Sequence, residues 1–135
     1  MSIQYSVAVR NGRLNAIETV AGVSAKLYLR SGAKPATCAD ADTGLELAVL
    51  SLPVDWMQDA AGGVKQKSVA VWTGVGAIAG VIAHFRIKDS PGTTCHIQGS
   101  VTLTGVGGEL ELDNTNVTVG QSIVIDNFSL TDGNP

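Results

Sequence analysis

A chain of 135 residues with 44% hydrophobic content is long enough to bury one core without a disulfide or a metal to hold it. Aromatics make up only 4%, so the core rests on Val, Ile, Leu and Ala, which suits sheets better than an aromatic-walled ligand pocket. A net charge of −3 argues against a nucleic-acid partner, which needs a basic field to release counterions from phosphates.

That charge is unevenly spread. Through Lys34 the chain carries Arg10, Arg13, Lys26, Arg30 and Lys34 against Glu18, a balance of +4 that leaves −7 for the remainder. A domain polarised in this way can orient itself on an oppositely patterned protein surface. No segment approaches the ~20 apolar residues that span a bilayer, and the start M-S-I-Q-Y lacks the basic and apolar regions of a signal peptide. A cytoplasmic protein without a membrane partner is therefore expected. In a reducing compartment Cys38 and Cys95, which form no C-x-x-C motif, are expected as free thiols, with Cys95 a small core residue.

In chain order, the first element is a helix over 6–20, because Val7, Leu14, Ile17 and Ala21 fall near helical spacing. Ser6 can cap its start and Gly22 can end it. Its apolar stripe is thin: Asn11 stands where an apolar residue is wanted, and Gly12 costs ~1 kcal/mol relative to alanine. Such a helix needs something to pack on, either its own sheet or a neighbouring protein surface.

Beyond Gly22 short apolar runs are separated by Gly, Pro, Asp and Asn, the pattern of a sandwich or barrel. Strands are expected over 25–30, 45–52, 67–72, 80–88, 94–104, 109–112 and 122–131, with a long loop between the first two. An irregular stretch over 53–63 carries Trp56 and Met57. Lys26, Tyr28 and Arg30 alternate with Leu27 and Leu29, and His84, Arg86 and Lys88 with Phe85 and Ile87. The basic side chains are thus expected on a wet face.

By the same alternation Cys95, Ile97, Val101 and Leu103 fall on a dry face, and His96, Gln98, Ser100, Thr102 and Thr104 on a wet one. In the last strand Ile123 and Ile125 differ in parity from Phe128 and Leu130, and a β-bulge near Asp126 and Asn127 would return all four to one face. The expected fold is mainly β: an antiparallel β-sandwich of jelly-roll type over 23–135, with a helix or arm over 1–22 at its N-terminus.

Little in the sequence points to chemistry. A hydrolytic triad needs a histidine between a nucleophile and a carboxylate, but His84 and His96 fall on the wet parity, Cys95 falls on the dry one, and no G-x-S-x-G elbow occurs. Cys38, His84, Cys95 and His96 could converge on zinc only if a strand twisted out of pattern. Asp40, Asp42 and Glu46 form part of a calcium-loop pattern that lacks its distant bidentate glutamate, and read as a polar turn. No catalytic residue, metal or cofactor is expected. Trp72, within a strand, reads as core; Trp56, in a loop beside Met57, is the better interface anchor.

Three stretches carry a resemblance: A-V-R-N-G-R-L-N-A-I-E near the start, L-R-S-G-A-K-P-A-T-C-A-D-A-D-T-G-L-E-L-A-V-L-S-L-P in the middle, and H-F-R-I-K-D-S-P-G-T-T-C-H-I-Q-G-S-V with L-D-N-T-N-V-T-V-G-Q-S-I-V-I-D-N-F-S-L-T toward the end. In these the chain resembles a family of small tailed-bacteriophage virion proteins, the capsid decoration or cement proteins of jelly-roll fold. The resemblance implies synthesis in a host bacterial cytoplasm, a place on the outer surface of the capsid, and the major capsid protein as partner. It carries over no active-site residue.

A decoration protein bridges subunits, and self-association, commonly as a dimer, would let one unit span a capsomer boundary. The contacts are expected from the N-terminal arm, through Tyr5, Val7, Arg10, Arg13, Leu14 and Ile17, and from an exposed strand edge. The alternatives are a tail or head-fibre component and a carbohydrate-binding β-sandwich, which would display several aromatics on one face.

Overall fold

A computed structural model describes residues 3–133. Its helix α1 (Val7–Ala21) starts where the Ser6 hydroxyl accepts a hydrogen bond from the Val9 amide at 3.2 Å. It stops at Gly22, whose φ of 87° suits glycine and whose N–H reaches the Glu18 carbonyl at 2.9 Å. Both ends lie within a residue of the expected ones.

An apolar stripe is not what holds α1 in place. Leu14 and Ala21 are its buried residues, and the rest of the docking face is polar. Asn11 Oδ1 accepts from the Gly63 amide and Asn15 Oδ1 from the Ala60 amide, each at 2.9 Å, while Glu18 Oε2 accepts from the Met57 amide at 3.0 Å. These three residues recur about once per helical turn on one side. Asn11, which interrupts the stripe in the sequence, is therefore a docking contact.

Among the described residues eleven strands follow: β1 (Lys26–Arg30), β2 (Glu46–Ser51), β3 (Val64–Gln66), β4 (Trp72–Val75), β5 (Gly80–Val81), β6 (His84–Lys88), β7 (Cys95–Leu103), β8 (Leu110–Leu112), β9 (Asn116–Val117), β10 (Ser122–Ile125) and β11 (Ser129–Thr131). A five-stranded sheet runs β2-β1-β6-β7-β8, and three two-stranded ladders pair β10 with β4, β11 with β3 and β5 with β9. A single bridge from Ala48 to Gly76 links β2 to the end of β4.

The expected all-antiparallel pairing fails at one place, because β7 and β8 run parallel, Val101 opposite Leu110 and Leu103 opposite Leu112. The connection 104–109 folds back on itself through Gly105 and Gly107, at φ 90° and 104°. Glu111 Oε2 accepts from both of their amides, at 2.9 and 3.0 Å.

Three expected strands are also divided, each for the same reason. Of the run 67–72 only Trp72 lies in a strand: β3 ends at Gln66 and pairs with β11, β4 starts at Trp72 and pairs with β10, and the chain leaves one ladder and enters the other between them. The run 80–88 breaks at Ile82 and Ala83, where β5 turns to β9 and β6 to the large sheet. The run 122–131 breaks at 126–128, and the parity shift there marks a crossing between ladders in place of a bulge. Ile123, Ile125 and Phe128 all still point into the core.

That core lies between one face of the large sheet and the smaller ladders. Leu27 and Leu29 of β1, Phe85 and Ile87 of β6 and Leu50 of β2 meet Trp56, Trp72, Ile125 and Phe128. The aromatics form a chain across it: Trp56 to Trp72 at 6.2 Å between ring centroids, Trp72 to Phe128 at 5.6 Å, and Phe128 edge-on to Phe85 at 5.6 Å. Spacings of this kind add stabilisation beyond the buried area.

Trp56 and Met57 are 0% and 1% exposed, which corrects their assignment as interface anchors. The loop that carries them folds inward, and Trp56 Nε1 donates to the Gly22 carbonyl at 2.9 Å. Among the described residues no helix is long and apolar enough to cross a membrane.

Candidate functional site

Alternation along β1, β6 and β7 sends Tyr28, Arg30, His84, Arg86, Lys88 and Gln98 to the face of the large sheet opposite the core. The sequence places the basic members of this row in water. They are buried instead, with Arg30 and Lys88 8% exposed, Arg86 2% and His84 1%.

Their cover is the loop 31–45 between β1 and β2, which lies across the sheet. It is pinned largely by its backbone carbonyls. Arg86 Nη2 donates to Cys38 O at 2.9 Å and Thr37 O at 3.3 Å, and Nη1 to Asp40 O at 3.1 Å. Arg30 Nε reaches Thr43 O at 2.9 Å and its Nη2 reaches Gly44 O at 3.0 Å, while Gln98 Nε2 donates to Pro35 O at 2.8 Å. The His84 ring meets Gly32 O through Nδ1 at 2.7 Å, so Nδ1 carries the proton. The loop is thus held down by the guanidinium groups of Arg30 and Arg86 together with donors from Gln98 and His84.

Asp42 neutralises much of this charge. Its Oδ1 lies 2.6 Å from Arg86 Nη1, its Oδ2 lies 2.6 Å from Lys88 Nζ, and Arg30 Nη1 stands 3.9 Å from Oδ2. Burial opposes its ionisation, but the hydrogen bonds from Lys88 and Arg86 and the nearby positive charges outweigh that and hold the carboxyl below its ordinary range. His84 shifts down, first because it is desolvated and then because Arg30 and Arg86 stand near it, against the opposing pull of its bond to Gly32. Asp42 therefore closes the loop on the basic face, while the Asp40 carboxylate accepts from the Thr37 amide and hydroxyl within the loop.

Cys95 departs from its expected dry position. A register irregularity between Ile87 and Lys88 sets it opposite Lys88, on the loop-covered face. There it lines a groove together with Cys38 and Arg86, and its thiol donates to Ile97 O at 3.4 Å. Among the described residues no group of three or more His, Cys, Asp or Glu side chains could hold a metal ion.

A second polar cluster joins the helix to β3. Lys65, 1% exposed, sits 3.0 Å from Glu18 Oε1 and donates to Asn15 Oδ1 at 2.9 Å and Gln58 O at 2.8 Å. Arg10 Nε donates to Asp132 O at 2.7 Å, and Arg13 pairs with the Asp132 carboxylate at 3.1 Å. Arg13 also stacks over the Tyr5 ring at 4.9 Å.

Of the expected contact residues, then, Tyr5, Val7 and Arg13 are exposed, Arg10 and Ile17 are half-buried, and Leu14, Trp56 and Met57 are buried. The outward residues of the same helix are not among those expected. Val9 and Val20 are 46% and 69% exposed, and they share one face with Arg13 and Ala16 by the helical repeat. Ile3 before the helix and Val23 after it extend that surface at 72% and 65%. The signal available was their spacing, once the polar side is recognised as the docked one.

An open cleft of about 670 Å³ lies elsewhere, between the 66–69 and 126–129 segments and the acidic edge formed by Glu109, Glu111 and Asp113. Three of its carboxylates are engaged locally: Glu109 binds the Ser100 hydroxyl, Glu111 the turn amides and Asp113 the Thr104 hydroxyl. No aromatic face lines it except that of Phe128, which is 5% exposed. No protein-family model, no curated protein and no solved structure matches the chain.

Proposed function

We propose that the chain is a structural virion protein, a capsid decoration protein that binds the major capsid protein on the outer surface of the shell. In this reading it has no catalytic activity. The observation that carries it is the helix α1, which is tied down by Asn11, Asn15 and Glu18 and turns Val9, Ala16 and Val20 outward. A helix already fixed in place loses little conformational freedom on docking, so a modest apolar face suffices for a weak contact. Many such contacts on one shell act together through avidity and stabilise the assembled state by mass action.

The resemblance in sequence supports the same reading, and the layered β fold suits a sandwich of jelly-roll type. Self-association, as a dimer about a two-fold axis, would let one unit bridge two shell subunits.

The test is occupancy on purified heads that lack the protein. A Val9→Glu and Val20→Glu double variant, confirmed as folded by circular dichroism, should lose at least tenfold in affinity. Equal occupancy by variant and wild type would remove α1 from the contact. Electron microscopy of the decorated particles then distinguishes shell from tail. Deleting residues 1–20 is a poorer test, because it strips Asn15 and Glu18 from the buried Lys65.

A further inference from the structure

The loop 31–45 is held on the sheet by hydrogen bonds and ion pairs, yet one pair of side chains could fasten it covalently. Cys38 lies in that loop and Cys95 in β7, and the two residues line one groove. Both are half-buried, at the floor of an open groove of about 450 Å³ bordered by Asp42, Arg86, Lys88 and Thr94. The backbone on both sides is fixed, for Arg86 Nη2 binds Cys38 O at 2.9 Å and β7 is paired along β6.

We propose that Cys38 and Cys95 are a redox latch, which an oxidised low-molecular-weight disulfide such as glutathione disulfide closes into an intramolecular disulfide that locks the loop over the basic sheet face. The sulfurs share one groove and must approach each other to about 2 Å. The latch belongs to the chain alone and stands apart from the virion reading.

The chemistry balances as two exchanges. The Cys38 thiol gives up its proton and attacks one sulfur of glutathione disulfide; that S–S bond breaks, and the released glutathione thiolate takes up a proton. The Cys95 thiol then gives up its proton and attacks the Cys38 sulfur of the mixed disulfide, releasing a second glutathione thiol. Two protein thiols are oxidised by two electrons, and one glutathione disulfide is reduced to two thiols.

The order follows from position. Cys38 is on the loop, whereas burial and then the neighbouring Cys38 push the Cys95 thiol up to about 11 against the opposing influence of Arg86. So high a value leaves Cys95 a poor first attacker but favours the oxidised state, because a thiolate that the site does not stabilise gives little advantage to the reduced form.

The test treats the reduced full-length protein with excess glutathione disulfide and maps its peptides without reduction. A Cys38–Cys95 linked peptide should form at least tenfold faster in the folded chain than in urea. The linked protein should melt about 5–15 °C higher than the reduced one, since the bond closes a long loop of the unfolded chain. Cys38→Ser and Cys95→Ser, each checked by circular dichroism, should both abolish the link and leave the remaining thiol at most as a glutathione adduct. Two glutathione adducts on the wild type, a link that forms no faster folded than unfolded, or a linked protein with the Tm of the reduced one would each overturn the latch.

Discussion

Asp42 Oδ1 stands 2.6 Å from Arg86 Nη1, and that contact joins a carboxylate on a loop to a guanidinium in the middle of a sheet face. Arg86 is 2% exposed, so its charge has no access to bulk water once the loop is seated. A buried cation without its partner is costly, and the cost falls on whichever state keeps it dry. The loop and the sheet face therefore stabilise each other: neither can open without exposing or stranding charge.

Replacing Asp42 by Ala should cost about 2–4 kcal/mol, somewhat below a fully enclosed pair because the carboxylate side chain is 30% exposed. Urea unfolding at neutral pH measures it. A loss under about 0.5 kcal/mol would mean that the loop carbonyls alone neutralise Arg86 and Lys88.

Acid should weaken the same seat. The carboxyl of Asp42 is held below its ordinary range in the folded protein, so the unfolded chain binds the proton first as pH falls. Its contribution is full above the unfolded value of about 4 and is lost as pH drops through the lower folded value. Wild type should therefore lose stability between pH 5 and pH 2 more steeply than Asp42→Asn, and the two should converge at the acid end.

His84 gives a second, milder acid effect at a different pH. Its folded value lies below the ordinary one because burial, and then Arg30 and Arg86, disfavour the imidazolium. Between about 6.5 and that lower value the unfolded chain takes up a proton that the folded chain refuses, so stability falls as pH falls. NMR titration should place the His84 ring below the ordinary imidazole range, and His84→Gln should flatten the pH dependence of Tm just under pH 6.5. A His84 that titrates above the ordinary value would contradict the buried neutral ring.

The period-two pattern made most strands legible from sequence, and the helix ends were legible from Ser6 and Gly22. What alternation could not reveal was the fate of the face opposite the core. Lys26, Tyr28 and Arg30 read as solvent-facing because a basic row normally faces water, and nothing local tells that a loop returns to cover it. The same limit hid the break at 126–128, where Ile123 serves the core from one ladder and Phe128 from the crossing between two. Asn11 was legible only as a flaw, since a polar docking contact needs its partner, Gly63, to be known.

Gly44 is the residue on which the loop's return depends. Its φ is 68°, and a Cβ there would run into the backbone oxygen of Ser31. Its own carbonyl accepts from Arg30. Gly44→Ala is thus strained twice, by conformation and by contact, with no flexible neighbour to give way. It should unseat the loop without unfolding the core. Limited proteolysis should cut within 31–45 at least tenfold faster than in wild type, while far-ultraviolet circular dichroism stays unchanged.

The Glu18 and Lys65 pair decides whether α1 is part of the fold or an appendage. Lys65 Nζ has three oxygen partners, and two of them, Glu18 Oε1 at 3.0 Å and Asn15 Oδ1 at 2.9 Å, come from the helix. Removing the carboxylate alone leaves an ammonium group that is 1% exposed with neutral partners, so Glu18→Ala should cost about 2–4 kcal/mol. Lys65→Met removes the buried charge together with its need for a partner, and on that background Glu18→Ala should cost at least about 1 kcal/mol less, what remains being the lost bond from the Met57 amide. A double-mutant cycle by urea unfolding reads the difference as a coupling energy. If the two losses simply add, the ion pair is incidental and the helix is held by Asn11, Asn15 and Leu14; if they couple by more than about 1 kcal/mol, the helix and β3 fold as one unit.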